Sequence, residues 1–420
     1  MFSSFSLLPF QIGLPRFLQG GVRAGTGVDI KPVEIHHIEI KSDKRARSLK
    51  QLLKLNHVNY SIVYHNLSFH NHMPHILGSA YLLGASSDHL SEIYEAESKE
   101  LEKWTDSPGE ISKHDWRDFL GDRRYQKAYV DFFEDELILH GYDWERVIEE
   151  FLFKGDRPLI NCVIAGLGHP LIHLGYAYEL SSRELAMEAL GLVTTSYNFL
   201  HRYLDERSYT KPPSYSTTSP LEVLVRVSKD PRLDHQGSKL TMEQLFKEHE
   251  DVIMEHWNSW NISDPKKQFE ESQYAASALL AATQIAGCTA YDFFLVHLLT
   301  TNHAVRILLP LISASLHVDL LRQWWLLALA VYVTQQRPEV RLSLITDYDI
   351  KGRDWSWVDS QALSSSWALD AHFVKANRAL KVAAHTWGDQ DSWYLKAALK
   401  FCDQFTGWTF SNEEEATWTA

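Results

Sequence analysis

A chain of 420 residues, 45% hydrophobic and 23% charged, can bury a large core and falls among folded globular proteins, which excludes a disordered chain. Its formal net charge of -13 argues against a nucleic-acid backbone or an anionic membrane as principal partner and favours a small neutral or weakly acidic ligand. Three cysteines, Cys162, Cys288 and Cys402, are far apart and odd in number, which fits free thiols in a reducing, cytoplasmic compartment better than a disulfide framework.

In chain order, MFSSFSLLPFQIGLPRF lacks a basic stretch before its short apolar run, so a secretory signal is poorly supported. Two arginines by position 23 and no acid before Asp29 leave organelle targeting as a secondary reading. No apolar run reaches the length of a membrane span. Residues 1–43 read as an N-terminal extension whose VEIHHIEI, 33–40, is the one strand-like alternation. From there apolar residues recur at helical spacing over 44–58, 66–84, 86–102, 122–139, 142–153, 182–204, 241–260, 266–288, 290–313, 318–335, 369–385 and 389–404. The pattern predicts an all-α protein: one large helical bundle over 44–405 with a histidine-rich centre, then a tail, 406–420. DERSYTKPPSYSTTSPLE, 205–222, carries three prolines and predicts a long loop, Pro/Ser-rich near 206–220.

In GLGHPLIHLGYAYE, 166–179, a helix begun near Pro170 puts His169 and His173 one above the other on one face. Such a pair can close on a metal ion, or it can be two core histidines bonded to backbone carbonyls. The remaining histidines favour the first reading. Among 21 in all, His70, His72 and His75 lie in FHNHMPH, His297 and His303 in VHLLTTNHAVR, and His372 precedes Lys375 in DAHFVKANRAL. A bundle brings such side chains together at its core. GLGHPL lacks the third glycine of a dinucleotide fingerprint, and no P-loop, G-x-S-x-G or H-E-x-x-H occurs. His317-Val-Asp319 matches the start of a facial triad, a motif that ordinarily belongs to a β scaffold.

No Asp or Glu lies three or four residues from His169 or His173, so the ligands would be mostly neutral and an anion is needed nearby. His372 and Lys375 face the same way on a predicted helix. An ammonium cannot ligate a cation, so Lys375 would have to be carboxylated by carbon dioxide, which burial favours by exposing the neutral amine; its other reading is a snorkelling lysine.

FHNHMPHILGSAYLLGAS, AGLGHPLIHLGYAYE, DFFLVHLLTTNHAVRILLP and LDAHFVKANRAL, in that order, resemble the questin oxidase-like family of fungal secondary metabolism. The resemblance spans roughly residues 45 to 405. It implies a helical enzyme that opens the central ring of an anthraquinone-type polyketide. One type in the family is an iron(II)-dependent dioxygenase whose metal is held by four histidines and a carboxylated lysine. Position by position this implies Lys375, His169 and His173, with His75 and His297 chosen for the other two places, while His72 and His303 sit in the same blocks and can exchange with them. Other members are NADPH-dependent Baeyer–Villiger-type oxidases, and no dinucleotide motif here marks where NADPH would enter.

The expected reaction uses dioxygen on a hydroquinone or anthrone form of a planar substrate. Asn71, Thr300 and His372 are candidate partners of the ligands' outer N–H groups, with Tyr176 lining the pocket. Aromatic residues, 12% of the chain, offer stacking walls, although most should be core. A helical binding protein whose histidines only satisfy core hydrogen bonds is the non-catalytic alternative.

Overall fold

The computed structural model describes residues 27–234, 239–283 and 289–409. The targeting-type stretch before residue 27, Cys288, and the tail from 410 onward lie outside the described residues. Among the described residues seventeen α-helices make up the fold, and strands are limited to two two-stranded pairings, Val63–Tyr64 with Phe69–His70 and Tyr291–Asp292 with Trp408–Thr409. The all-α expectation holds.

Local chemistry starts the helices where the sequence changes character. Asp43, Ser86, Ser182, Asp292 and Asp370 each accept a backbone N–H of the helix they precede, and Thr241 with Gln244 forms a reciprocal capping box. The segment 66–84 is shorter as a helix than its periodicity predicts. His65, Asn66 and Leu67 all take positive φ, turning a small hairpin, and the helix covers only Met73–Leu83.

VEIHHIEI does not form a strand. The His36 and Ile38 N–H groups donate to the carbonyls of Glu179 and Leu180 (2.8 and 3.1 Å). Those carbonyls end a helix and have no intrahelical partner, so they take the bonds a neighbouring strand would have offered.

Four helices form a closed ring in which each packs on the next: Met73–Leu83, His169–Leu180, Phe293–Leu308 and Ala371–Trp387. Every residue of His169–Leu180 and of Phe293–Leu308 is buried, so these two are the axis of the molecule. Arg183–Thr195 and His317–Thr334 flank the ring. The loop after 205 runs against Met242–Ser259, where the Thr217 N–H donates to Ser259 O (3.0 Å), and a helix the periodicity did not mark, Pro220–Ser228, ends it. No helix among the described residues is long and apolar enough to cross a membrane.

Candidate metal centre

The chain enters the His169–Leu180 helix through Gly166, Leu167 and Gly168, all at positive φ (55°, 54° and 76°). A Cβ on Gly168 would stand 2.3 Å from the Thr301 methyl, so only glycine fits this close approach. The tight turn also brings Gly166 O to 2.7 Å from His169 Nδ1.

A carbonyl only accepts, so His169 Nδ1 carries the proton and Nε2 keeps its lone pair. His297 is fixed in the same way, its Nδ1 donating to Phe293 O one turn back (2.8 Å). These two lone pairs meet the rings of His72 and His372. The Nε2 atoms of His72 and His169 are 2.9 Å apart, those of His372 and His297 3.2 Å, and one ring nitrogen from each of the four lies within 4.8 Å of all the others.

All four histidines stand at or near helix N-termini. His72 precedes the first residue of Met73–Leu83, His169 begins its helix, His372 is second in its own, and His297 lies one turn into Phe293–Leu308. The positive ends of these helices thus converge on one point and disfavour protonated rings there. Burial does the same: it holds His169 down to about 3 and the other three well below the ordinary range, with the Lys375 charge adding to the effect on each.

Lys375 is 1% exposed, and its charge is felt by five histidines, His75 included. Two carboxylates answer it. Burial pushes both Asp370 and Glu97 up, Glu97 to about 7, while Lys375 draws each back down.

Of the residues expected to ligate, His169 and His297 belong to the converging set, and Lys375 lies beside it. His72 and His372 complete the four. His75 and His173 stand one layer out: His75 Nε2 meets His173 Nδ1 (3.1 Å), and His173 Nε2 meets a Glu188 oxygen (2.7 Å). His303 is buried near Arg306 and Arg378, whose charges join burial in holding it low, and both its ring nitrogens lack a hydrogen-bond partner among the described residues. Asn71 uses its amide on Asn56, Ser61 O and Met73 N, and Thr300 its hydroxyl on His297 O. Tyr176 stacks on His75 (5.3 Å) and shares a 2.5 Å hydrogen bond with Ser79. His317 Nδ1 accepts the Val28 N–H (2.8 Å), a structural task.

Three features escaped the sequence reading. His70 lies flat on His169, ring centroids 4.0 Å apart. Phe293 and Trp408 border His372 at 4.7 and 5.9 Å. Glu188 reaches His173 from the next helix; its signal was a lone carboxylate in the apolar run AMEALGL. A second convergence, Glu136 with His140 and Glu150, already holds a cation, the Lys113 ammonium, 3.1 and 2.7 Å from the two carboxylates.

The donor set suits a transition metal. Four buried imidazoles converge on one point, two of them with an Nε2 lone pair fixed by carbonyls behind, and deprotonation of the facing nitrogens of His72 and His372 would complete a set of four nitrogen donors.

Comparison with known proteins gives the same family as the four sequence blocks. The profile described as questin oxidase-like matches residues 69–380. A Baeyer–Villiger oxidase of Pestalotiopsis microspora is 25% identical over 81% of this chain and 82% of its own length. The oxidoreductase AflY of Aspergillus parasiticus is 24% identical over 83% and 74%. The Baeyer–Villiger oxidase AgnL3 of Paecilomyces divaricatus is 25% identical over 85% and 83%. With three quarters of its length matched by one family profile and oxidases of fungi as relatives along most of the chain, this protein is an oxidoreductase that belongs to the questin oxidase-like family.

Proposed function

We propose that the chain is an iron(II)-dependent oxygenase that opens a ring of a planar, anthraquinone-type polyketide. The observation that carries this reading is the buried convergence of four imidazole nitrogens beside Lys375. His72, His169, His297 and His372 are the proposed ligands, and Lys375, as a carbamate, supplies the anion that neutral imidazoles lack.

An iron(II) ion held there supplies the one-electron chemistry that dioxygen requires and that zinc cannot offer. The protein's own residues supply the rest. Gly166 O and Phe293 O hold two rings in the tautomer that presents a lone pair. The buried ring of helices excludes bulk water, which protects reactive species and strengthens every charge interaction inside. Phe293 and the half-buried Trp408 give a flat substrate an aromatic edge beside His372. Burial pushes Glu97 up, and a carbamate at Lys375 would no longer draw it back down, so Glu97 would keep its proton there.

The names of the relatives favour a second reading, a Baeyer–Villiger oxygenation; we take it to act on the same substrate class and to draw on NADPH. Elemental analysis and isotopic oxygen separate the two. The expected result is near-stoichiometric iron in the parent, lost in His169→Ala, His372→Ala and Lys375→Ala, with both atoms of labelled dioxygen in the ring-opened product of an anthraquinone hydroquinone. One labelled atom per product with matching NADPH consumption, and activity that survives chelation, would establish the second reading instead.

A further inference from the structure

Behind the converging histidines, four hydrogen bonds in series lead to the surface. His75 Nε2 meets His173 Nδ1 at 3.1 Å, and His173 Nε2 meets Glu188 Oε2 at 2.7 Å. The other carboxylate oxygen, Oε1, meets His57 Nδ1 at 2.8 Å, and His57 Nε2 meets Glu134 Oε1 at 2.7 Å. The side chains of His173, Glu188 and His57 are 1%, 2% and 8% exposed, whereas that of Glu134 is 46% exposed. Glu134 and His57 line a surface cavity of about 290 Å³, whose rim also carries Lys54, Arg183 and Glu184. At the inner end His75 Nδ1, buried and with no hydrogen-bond partner among the described residues, belongs to a ring packed edge-on against His72 (5.5 Å).

Buried carboxylates and imidazoles are costly, and a core of this size could close with apolar side chains. A continuous row of alternating bases needs another reason. We propose that His75, His173, Glu188 and His57 form a one-proton relay between the buried centre and solvent at Glu134. It rests on the assignment of His72, rather than His75 or His173, to the proposed metal.

The protons balance. In the resting state His57 is an imidazolium donating to Glu134 and Glu188, Glu188 is a carboxylate, and His173 and His75 each carry their proton on Nε2. A proton lost by a phenolic hydroxyl of the substrate and taken at His75 Nδ1, directly or through a water, sends the Nε2 proton to His173 Nδ1, whose own Nε2 proton passes to Glu188 Oε2. Glu188 is then neutral, and His57, having lost its counter-charge, gives its Nε2 proton to Glu134 and water. One proton has left the centre. The Glu188–His57 pair carries no net charge before or after, so neither end state of the relay leaves a net charge in the core. The flipped row runs the same steps backwards and returns a proton in a later step. Burial alone would drive His57 down, yet Glu134 and Glu188 hold it up at about 10, and Glu188 lies at about 2 against its own desolvation, through bonds from His173 and His57. These two are the titrating members, and their hydrogen bonds reach none of the four converging histidines.

Exchange of histidine ring N–H groups with water, read by NMR on the full chain labelled with 15N-histidine, tests the relay without needing turnover. Glu188→Gln keeps the shape but cannot pass a proton, and His57→Gly opens the row to the surface cavity. The expected result is exchange at His173 slowed about tenfold or more in both variants, restored in His57→Gly by added imidazole and less well by bases of lower pKa. Glu134→Gln, at the surface, slows exchange without altering the fold. Exchange unchanged in Glu188→Gln and Glu134→Gln would overturn the relay, and so would loss of bound metal in a folded Glu188→Gln, which would make the row a ligand support. A parent that binds no iron would refute the metal reading and leave the exchange rates to decide the relay.

Discussion

His57 is the residue whose charge bears most directly on stability. Burial works against its proton, but Glu134 and Glu188 raise it from 6.5 to about 10, so its contribution is full below pH 6.5 and is lost as pH climbs through 10. Glu188, lowered to about 2, acts the other way: its contribution is present above pH 4.5 and lost as pH falls toward 2. Urea midpoints measured from pH 6 to 10 should therefore fall with pH in the parent and much less in His57→Phe; parallel slopes would show that the pair is not formed. Gly168→Ala is the sharpest backbone test. Its strained φ and the 2.3 Å approach to Thr301 lead us to expect a loss of about 2–4 kcal/mol by denaturant titration and displacement of His169. Which histidines meet was only partly legible. His70, His72 and His75 share one short segment, and spacing ranks none of them; the hairpin that delivers the chain to the Met73–Leu83 helix decides, and it turns on three positive φ values at residues with no glycine to signal them.

At the scale of elements, periodicity served best where a helix has a wet face and a polar cap. Met242–Ser259 starts at its capping box and ends within a residue or so of the predicted 241–260, whereas the segment predicted over 182–204 starts as expected after Ser182 but, buried almost all round, ends as a helix at Thr195. It served less well for short segments: Pro220–Ser228 and Trp355–Ser364 went unmarked, the first because its prolines and serines read as loop. Pro220 is in fact well placed, since a first helical turn needs no N–H from it. The His169–Leu180 helix was found through Pro170 and the histidine pair rather than through a stripe, for it is buried all round. Between this helix and Ala371–Trp387 lies a buried ion pair, Glu179 with Arg378, both about 5% exposed or less. Arg378→Met would strand the carboxylate, and we expect a loss of about 3–5 kcal/mol, with much of it recovered in the double variant Glu179→Gln, Arg378→Met. A calorimetric double-mutant cycle checks this, and simple additivity would argue that the pair is not coupled.

For the whole molecule, composition was enough to exclude disorder, and helical spacing enough to give an all-α chain around a histidine-rich middle. The closed ring was not legible, because it depends on which distant helices pack, and no pattern within one helix records its neighbour. That ring has a thermodynamic consequence. His72 and His169 are 97 residues apart in sequence, and His297 and His372 are 75 apart, so an ion gripping all four would join remote stretches of chain much as a crosslink does. Its binding energy would be folding energy. At a free ion concentration a thousand times its dissociation constant, the native state would gain about 4 kcal/mol. Scanning calorimetry with a chelator should lower Tm by several degrees and restore it on iron addition, whereas an unchanged Tm would mean that the four helices hold together without help. A cell short of iron would then lose this protein to unfolding and proteolysis as well as to idleness, so that the supply of the metal would set how much of the enzyme exists.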